Sequence, residues 1–194
     1  MRIVVVDEND ERIETVRQGL RAAGHEIVAT IGPRDDPLPV LERLAADLVI
    51  ASMSSPDRDS LESLRMVSAR NPKPIVMFVD ESDAQGAAEA IRAGVSAYIV
   101  KGLAAERVKP VLDVAVARFQ AYQELKHELA KSRSALAERK VIERAKGVLM
   151  QERGLTEEEA YRLLRKTAMD QNRRIAEIAR SVLAVAEMLK PGVR

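Results

Sequence analysis

Residues 135–188 read ALAERKVIERAKGVLMQERGLTEEEAYRLLRKTAMDQNRRIAEIARSVLAVAEM, and the rest of the chain is organised around them. Val141, Ile142, Ala145, Val148 and Leu149 recur at i, i+3, i+4 and i+7, which predicts a helix with one buried stripe. Gly154 supplies the stop, because glycine takes a left-handed backbone without a Cβ penalty. Thr156 opens a second helix, and Glu159 three residues on completes a capping box. Ala160, Leu163, Leu164, Thr167 and Ala168 form its inner face. Asn172 is read as the N-cap of a third helix, with Ile175, Ile178, Ala179, Val182, Ala186 and Leu189 inward. A three-helix bundle over 135–190 follows, with too little core to be robust alone.

Some residues in this stretch are costly for a helix. Gly147 sits mid-helix, where it costs roughly 1 kcal/mol relative to alanine. Lys140, Arg144, Gly147 and Gln151 share the face opposite the apolar stripe, and Arg139 and Lys146 flank it. Arg173 and Arg174 are placed in the first turn of the third helix, where each cation opposes the helix dipole by about 0.3–1 kcal/mol. Such residues suit the close approach of an anionic ligand; a solvated basic face is the bland alternative.

The run Leu136-x-x-Arg139, Ile142-Glu143-x-Ala145-Lys146-Gly147-x-Leu149-Met150, Glu159-Ala160-Tyr161-x-x-Leu164-Arg165-x-x-Ala168-Met169 and Ile175-x-x-Ile178-Ala179 resembles an ANTAR domain. That family comprises RNA-binding antitermination regulators of the AmiR/NasT type, and the sequence looks nearest its NasT-like regulators of nitrate and nitrite assimilation. The resemblance implies binding to hairpins in nascent leader mRNA. It also implies restraint by a cognate ligand-sensing protein of the NasS kind. Tyr161 is the only aromatic residue of the module, so stacking on bases has little material and cations must carry more of the recognition. The positions expected to face RNA are Arg139, Lys140, Arg144, Lys146, Gly147, Arg165, Arg173 and Arg174.

Upstream, strand and helix signals alternate: Ile3–Val6, Arg12–Ala23, Glu26–Ile31, Pro39–Ala45, Asp47–Ser52, Leu61–Ala69, Ile75–Val79, Ala84–Ala93 and Ala97–Val100, with helix from Val108. Five βα units of this length predict an α/β, flavodoxin-like doubly wound sheet with any site at the carboxyl ends of its strands. Those ends carry Asp7-Glu8, Ser52, Val79-Asp80 and Lys101, a constellation that resembles the receiver domain of response regulators. Asp7 and Glu8 match its Mg²⁺-binding acidic pair and Lys101 its lysine. Ser52, however, stands at the phosphoacceptor position, Val79 at the Ser/Thr position, and Gly102 where receivers usually have proline. A serine hydroxyl cannot form an acyl phosphate, and valine cannot hydrogen-bond a phosphoryl oxygen. The reading is a pseudo-receiver not switched by aspartyl phosphorylation. Asp7, Glu8 and Lys101 are expected to persist as a polar cluster rather than as a Mg²⁺ site, and no cofactor is expected. Asp57 and Asp59 are placed in a loop. The stretches 54–59 and 80–83 are the expected contacts of the sensor protein.

Between the two parts, Val111 to Leu136 contains no glycine or proline. Tyr122, Leu125, Leu129, Ser132 and Leu136 are spaced 3, 4, 3, 4, the a/d rhythm of a coiled coil over about two heptads, which is read as a homodimer stalk, a seam packed within one chain being the alternative. The domain organisation is therefore 1–115 pseudo-receiver, 116–134 coiled-coil linker and 135–190 ANTAR bundle. Charge is uneven: 1–115 carries 14 Lys/Arg against 19 Asp/Glu, a net −5, whereas 135–194 carries 13 against 9, a net +4. A basic C-terminal part suits a polyanionic partner. There is no cysteine, and no apolar run approaches the ~20 residues of a membrane span, which fits a cytoplasmic location, and the sequence offers no nucleophile–base pair or metal cluster, so a non-enzymatic regulator is expected. The main alternative is a DNA-binding response regulator, although the C-terminal sequence lacks an obvious recognition-helix pair joined by a tight turn.

Overall fold

The computed structural model describes residues 1–189 and divides into two compact units, Met1–Gln123 and one beginning at Glu124. In the first unit, β1 (Arg2–Val6), β2 (Glu26–Ile31), β3 (Leu48–Met53), β4 (Ile75–Val79) and β5 (Ala97–Val100) alternate with α1 (Asp10–Ala22), α2 (Pro37–Leu44), α3 (Arg58–Arg70) and α4 (Ala84–Arg92). The strands form one parallel sheet in the order β2-β1-β3-β4-β5, the doubly wound arrangement the alternation predicts. Both faces of the sheet are covered, so β3 and β4 are buried throughout and read as nearly unbroken apolar runs. Because side chains alternate along a strand, Val4 and Val6 join one core with α2, α3 and α4. Ile3 and Val5 join the other, with Val16 and Leu20 of α1 and Val108, Leu112 and Ala115 of α5 (Ala105–Arg153). The two helices on that second face approach closely. A Cβ on Gly19 would lie 2.5 Å from the Ala105 carbonyl oxygen.

Three helices begin earlier than their apolar periodicity indicates, each because a side chain caps it. Asn9 accepts from the Arg12 N–H at 3.0 Å and starts α1 at Asp10; Asp36 does the same for α2, and Asp57 for α3. Asp57 is therefore an N-cap rather than a loop residue, and hydrogen bonds from Ser60 hold its carboxyl below the usual aspartate range. Asp59 lies in the first turn of α3.

Helix α5 runs unbroken for 49 residues. The linker and the first helix of the C-terminal module are one element, since nothing between Val111 and Lys146 supplies a stop and Gly147 alone does not break the helix. Gly154, at φ 65°, ends it. Thr156 then caps α6 (Glu157–Asp170) through the expected box with Glu159, whose carboxyl is held low by hydrogen bonds from Thr156. With α7 (Ile175–Leu189) these helices enclose a core of Ala145, Leu149, Ala160, Leu164, Ala168, Ile178 and Ala179. The place expected for the Leu189 side chain lies outside the described residues.

Asn172 differs from its expected role. It adopts φ 49° and closes α6. Its N–H donates to the Met169 carbonyl at 3.1 Å, and the Arg173 N–H donates to that of Ala168 at 2.9 Å. Those two bonds make a Schellman motif, for which asparagine is the usual substitute when glycine is absent. Arg173 and Arg174 accordingly precede α7 instead of occupying its first turn.

Candidate nucleic-acid interface and the receiver pocket

Of the eight positions expected to face RNA, Arg139, Lys140, Arg144, Arg165, Arg173 and Arg174 are exposed and Gly147 is half-buried. Lys146 is not on that surface. It is only 7 % exposed, and its ammonium pairs with Glu143 at 2.9 Å and Glu157 at 2.7 Å. Glu157 begins α6, so the lysine ties α5 to the start of α6. Hydrogen bonds to Glu143 and then Glu157 raise the Lys146 pKa, and the same contact lowers that of Glu157.

The remaining cations form two groups. Lys140, Arg144 and Gly147 lie along one face of α5, where a Cβ on Gly147 would meet nothing within 4 Å. Arg165, Arg173 and Arg174 line a groove of about 790 Å³, beside the Asn172 turn, with Glu138 and Ile142 on its α5 side. Arg173 is partly occupied by Glu177 at 3.3 Å. Among the described residues, Arg139, Lys140, Arg144, Arg165 and Arg174 make no ion pair. The groove's guanidinium groups and the α5 stripe are thus available to an anion.

At the carboxyl ends of the strands the five expected pocket residues are only partly assembled. Asp7 and Ser52 are buried and meet, the Ser52 hydroxyl donating to Asp7 Oδ2. Val79 is in the core. Glu8 and Lys101 are exposed, and neither makes a side-chain hydrogen bond or ion pair among the described residues. Lys101 stands at φ 51°.

The residue that completes the pocket is one that motif reading passed over. Arg12, in the first turn of α1, lays its guanidinium across Asp7, with Nη2 to Oδ1 at 2.8 Å and Nε to Oδ2 at 3.0 Å. Its Nη1 reaches Asp80 Oδ2 at 3.3 Å and Ser54 Oγ at 3.5 Å. With the Asn9 N–H on Oδ1 at 2.9 Å, each oxygen of Asp7 accepts two hydrogen bonds. Burial by itself would raise the Asp7 carboxyl, but bonds from Arg12, Ser52 and Asn9 outweigh it and hold the pKa down. The Asp7 bond correspondingly raises that of Arg12. A fixed signal was available in the sequence. Asn9 as a cap puts Arg12 one turn into the helix, where side chains lean back towards the N-terminus and hence over Asp7.

These residues do not fit a divalent cation. Mg²⁺ asks for near-octahedral oxygen ligands, whereas the lone pairs of Asp7 are committed and a guanidinium lies against it. Among the described residues no three acidic or histidine side chains converge as a metal site.

Comparison with known proteins agrees with both halves. Residues 3–113 match the response regulator receiver domain and residues 130–183 the ANTAR domain. The chain is 31% identical over 183 residues to the transcriptional regulatory protein PdtaR of Mycobacterium tuberculosis, covering 94% of this chain and 89% of that protein. It is 54% identical over 63 residues to the nitrate regulatory protein of Klebsiella oxytoca, which is 32% of this chain and 16% of that one. Among solved structures, a CheY-like receiver domain protein from Methanospirillum hungatei superposes with a TM-score of 0.54 at 19% identity, covering 62% of this chain and 97% of that one. The chemotaxis regulator CheY4 of Vibrio cholerae gives 0.51 at 20%, covering 59% and 97%; these two likenesses concern the fold alone. With a receiver fold leading into an ANTAR module, and a relative of the same extent, the chain belongs to the ANTAR-domain response regulators that control transcription.

Proposed function

We propose that the protein is an RNA-binding antiterminator, which binds hairpins in a nascent leader transcript and favours the antiterminator over a terminator hairpin. The observation that carries this reading is the set of exposed, unpaired cations on the ANTAR module, above all Arg165 and Arg174 in the groove beside the Asn172 turn. Phosphate oxygens are the natural partners of such guanidinium groups. The reading is non-enzymatic and places the protein in the cytoplasm; no described helix is long and apolar enough to cross a membrane.

Control is assigned to a ligand-sensing protein rather than to aspartyl phosphorylation, because Ser52 stands at the phosphoacceptor position and the Asp7 oxygens are already occupied. The loops 54–59 and 80–83 are the surface proposed for that contact. A homodimer through α5 is part of the same reading: Tyr122, Leu125, Leu129 and Leu136 are 63, 64, 49 and 59 % exposed, an apolar seam awaiting a partner helix. Genes of nitrate and nitrite assimilation are the proposed targets, a choice supported by the likeness over 63 residues to the nitrate regulatory protein of Klebsiella oxytoca.

The test is a gel-shift titration of the full chain against its own operon's leader RNA, the matching duplex DNA and an unrelated RNA, with Arg165→Ala and Arg174→Ala as variants. Selective binding to leader RNA that weakens in both variants is expected. Selective duplex binding would replace this reading with that of a DNA-binding transcription factor.

A further inference from the structure

The acidic pocket of the receiver fold is filled from within, and the filling group is a cation. Asp7 lies at the end of β1, Asp80 follows β4, and Glu8 projects from the turn after β1. The resemblance to a receiver puts the Mg²⁺-binding acidic pair at Asp7 and Glu8, after β1. Here the Arg12 fork meets both oxygens of Asp7, at 2.8 and 3.0 Å, and extends its third nitrogen to Asp80 and Ser54. A guanidinium is planar, permanently charged and matched to a carboxylate in two-point contact, so one side chain supplies the positive charge and much of the ligand geometry. The side chain itself is one-fifth exposed, whereas that of Asp7 is fully buried. A buried carboxylate requires a paired charge, and no other described cation contacts it.

We infer that Arg12 is the resident cation of this pocket, standing where a receiver takes its metal ion, and that removing it opens a latent site for a hard divalent cation. Without the guanidinium, Asp7, Asp80 and the Ser54 hydroxyl lose their shared partner and border the space it fills, with Ser52 bonded to Asp7 and Glu8 exposed next to it in the chain. That oxygen-rich, anionic set suits Mg²⁺ or Mn²⁺. Arg12 also ties the start of α1 to the ends of β3 and β4, so it sets the shape of the loops there.

The experiment titrates Mn²⁺, and separately Mg²⁺, into the full chain of the wild type, Arg12→Ala and Arg12→Ala/Asp7→Asn. Paramagnetic broadening of the amide signals of residues 7–12 and the shift in melting temperature are followed together. Wild type is expected to show no saturable binding at millimolar metal. Arg12→Ala is expected to bind Mn²⁺ at least about tenfold more tightly and to melt higher in either metal, a gain that Asp7→Asn removes. If Arg12→Ala does not fold without metal, Arg12→Gln, which keeps the length and an amide donor, takes its place. Refolding of either variant by added metal supports the inference, and failure of metal to restore the fold overturns it. Saturable binding to the wild type as tight as to the variant overturns it, as does a folded variant that ignores metal.

Discussion

At the scale of single residues, the same pair of charges has different meanings in the two units. Asp7 is buried, and its charge is stabilised by Arg12, Ser52 and the Asn9 amide. Its folded pKa lies below the unfolded value of about 3.9, so it contributes stability that is present above that value and lost as pH falls through the folded one. The urea midpoint is therefore expected to hold near neutrality and to drop below about pH 4. Asp7→Asn should lower the midpoint throughout and flatten its acid limb; a variant as acid-sensitive as the wild type would contradict this. Lys146 shows how spacing alone misleads. A lysine on the flank of a helix reads as a surface cation, yet two carboxylates, one on the next helix, draw it into a structural contact. Neither the position of Glu157 in space nor the pairing is visible in the periodicity. Gly147 is the cleaner probe of the basic face. Because a Cβ there meets nothing, Gly147→Ala should stabilise the helix by up to about 1 kcal/mol. Thermal melts alongside gel shifts should then show a more stable protein that binds RNA more weakly, the weakening arising from the methyl group at the contact.

At the scale of elements, most of the architecture could be read directly. Continuous apolar strands, helix periodicity and the Thr156 capping box each leave an unambiguous local signal. The errors cluster at ends. Side-chain caps extended α1, α2 and α3, and the left-handed Asn172 closed one helix where its side-chain type suggested the start of another. Asparagine serves both roles, and the backbone angle that separates them is set by the turn as a whole. Helix α5 raises the question of what covers its apolar seam. Leu125→Asp or Leu129→Asp is expected to shift the protein towards monomer in sedimentation and to reduce RNA affinity in parallel, since a carboxylate at a core heptad position is desolvated on pairing. Unchanged self-association with normal binding would remove the stalk from the account.

At the scale of the molecule, the charge asymmetry sets the expected physics of binding. The acidic net −5 of residues 1–115 and the net +4 of 135–194 favour a polyanion at the basic module, and contacts to phosphate release counterions. RNA affinity should accordingly fall linearly in log–log form with salt. Arg165→Ala and Arg174→Ala should each weaken binding across sequences and reduce the slope by about one. Slopes unchanged in both variants would place the phosphate contacts elsewhere, on the α5 stripe.

The pocket closed by Arg12 also bears on what it would take to give this chain a different mode of control. Giving this chain phosphorylation control would require an aspartate at Ser52, a hydroxyl at Val79 and departure of the arginine. Ser52→Asp alone would set a second carboxylate against Asp7 in place of the hydroxyl that now donates to it, while loss of Arg12 alone would strand the buried charge. Each first step is penalised before any later step can reward it. The internal ion pair thus works as a double lock: neither change alone leads towards phosphoryl chemistry, because each leaves an unbalanced charge in the pocket.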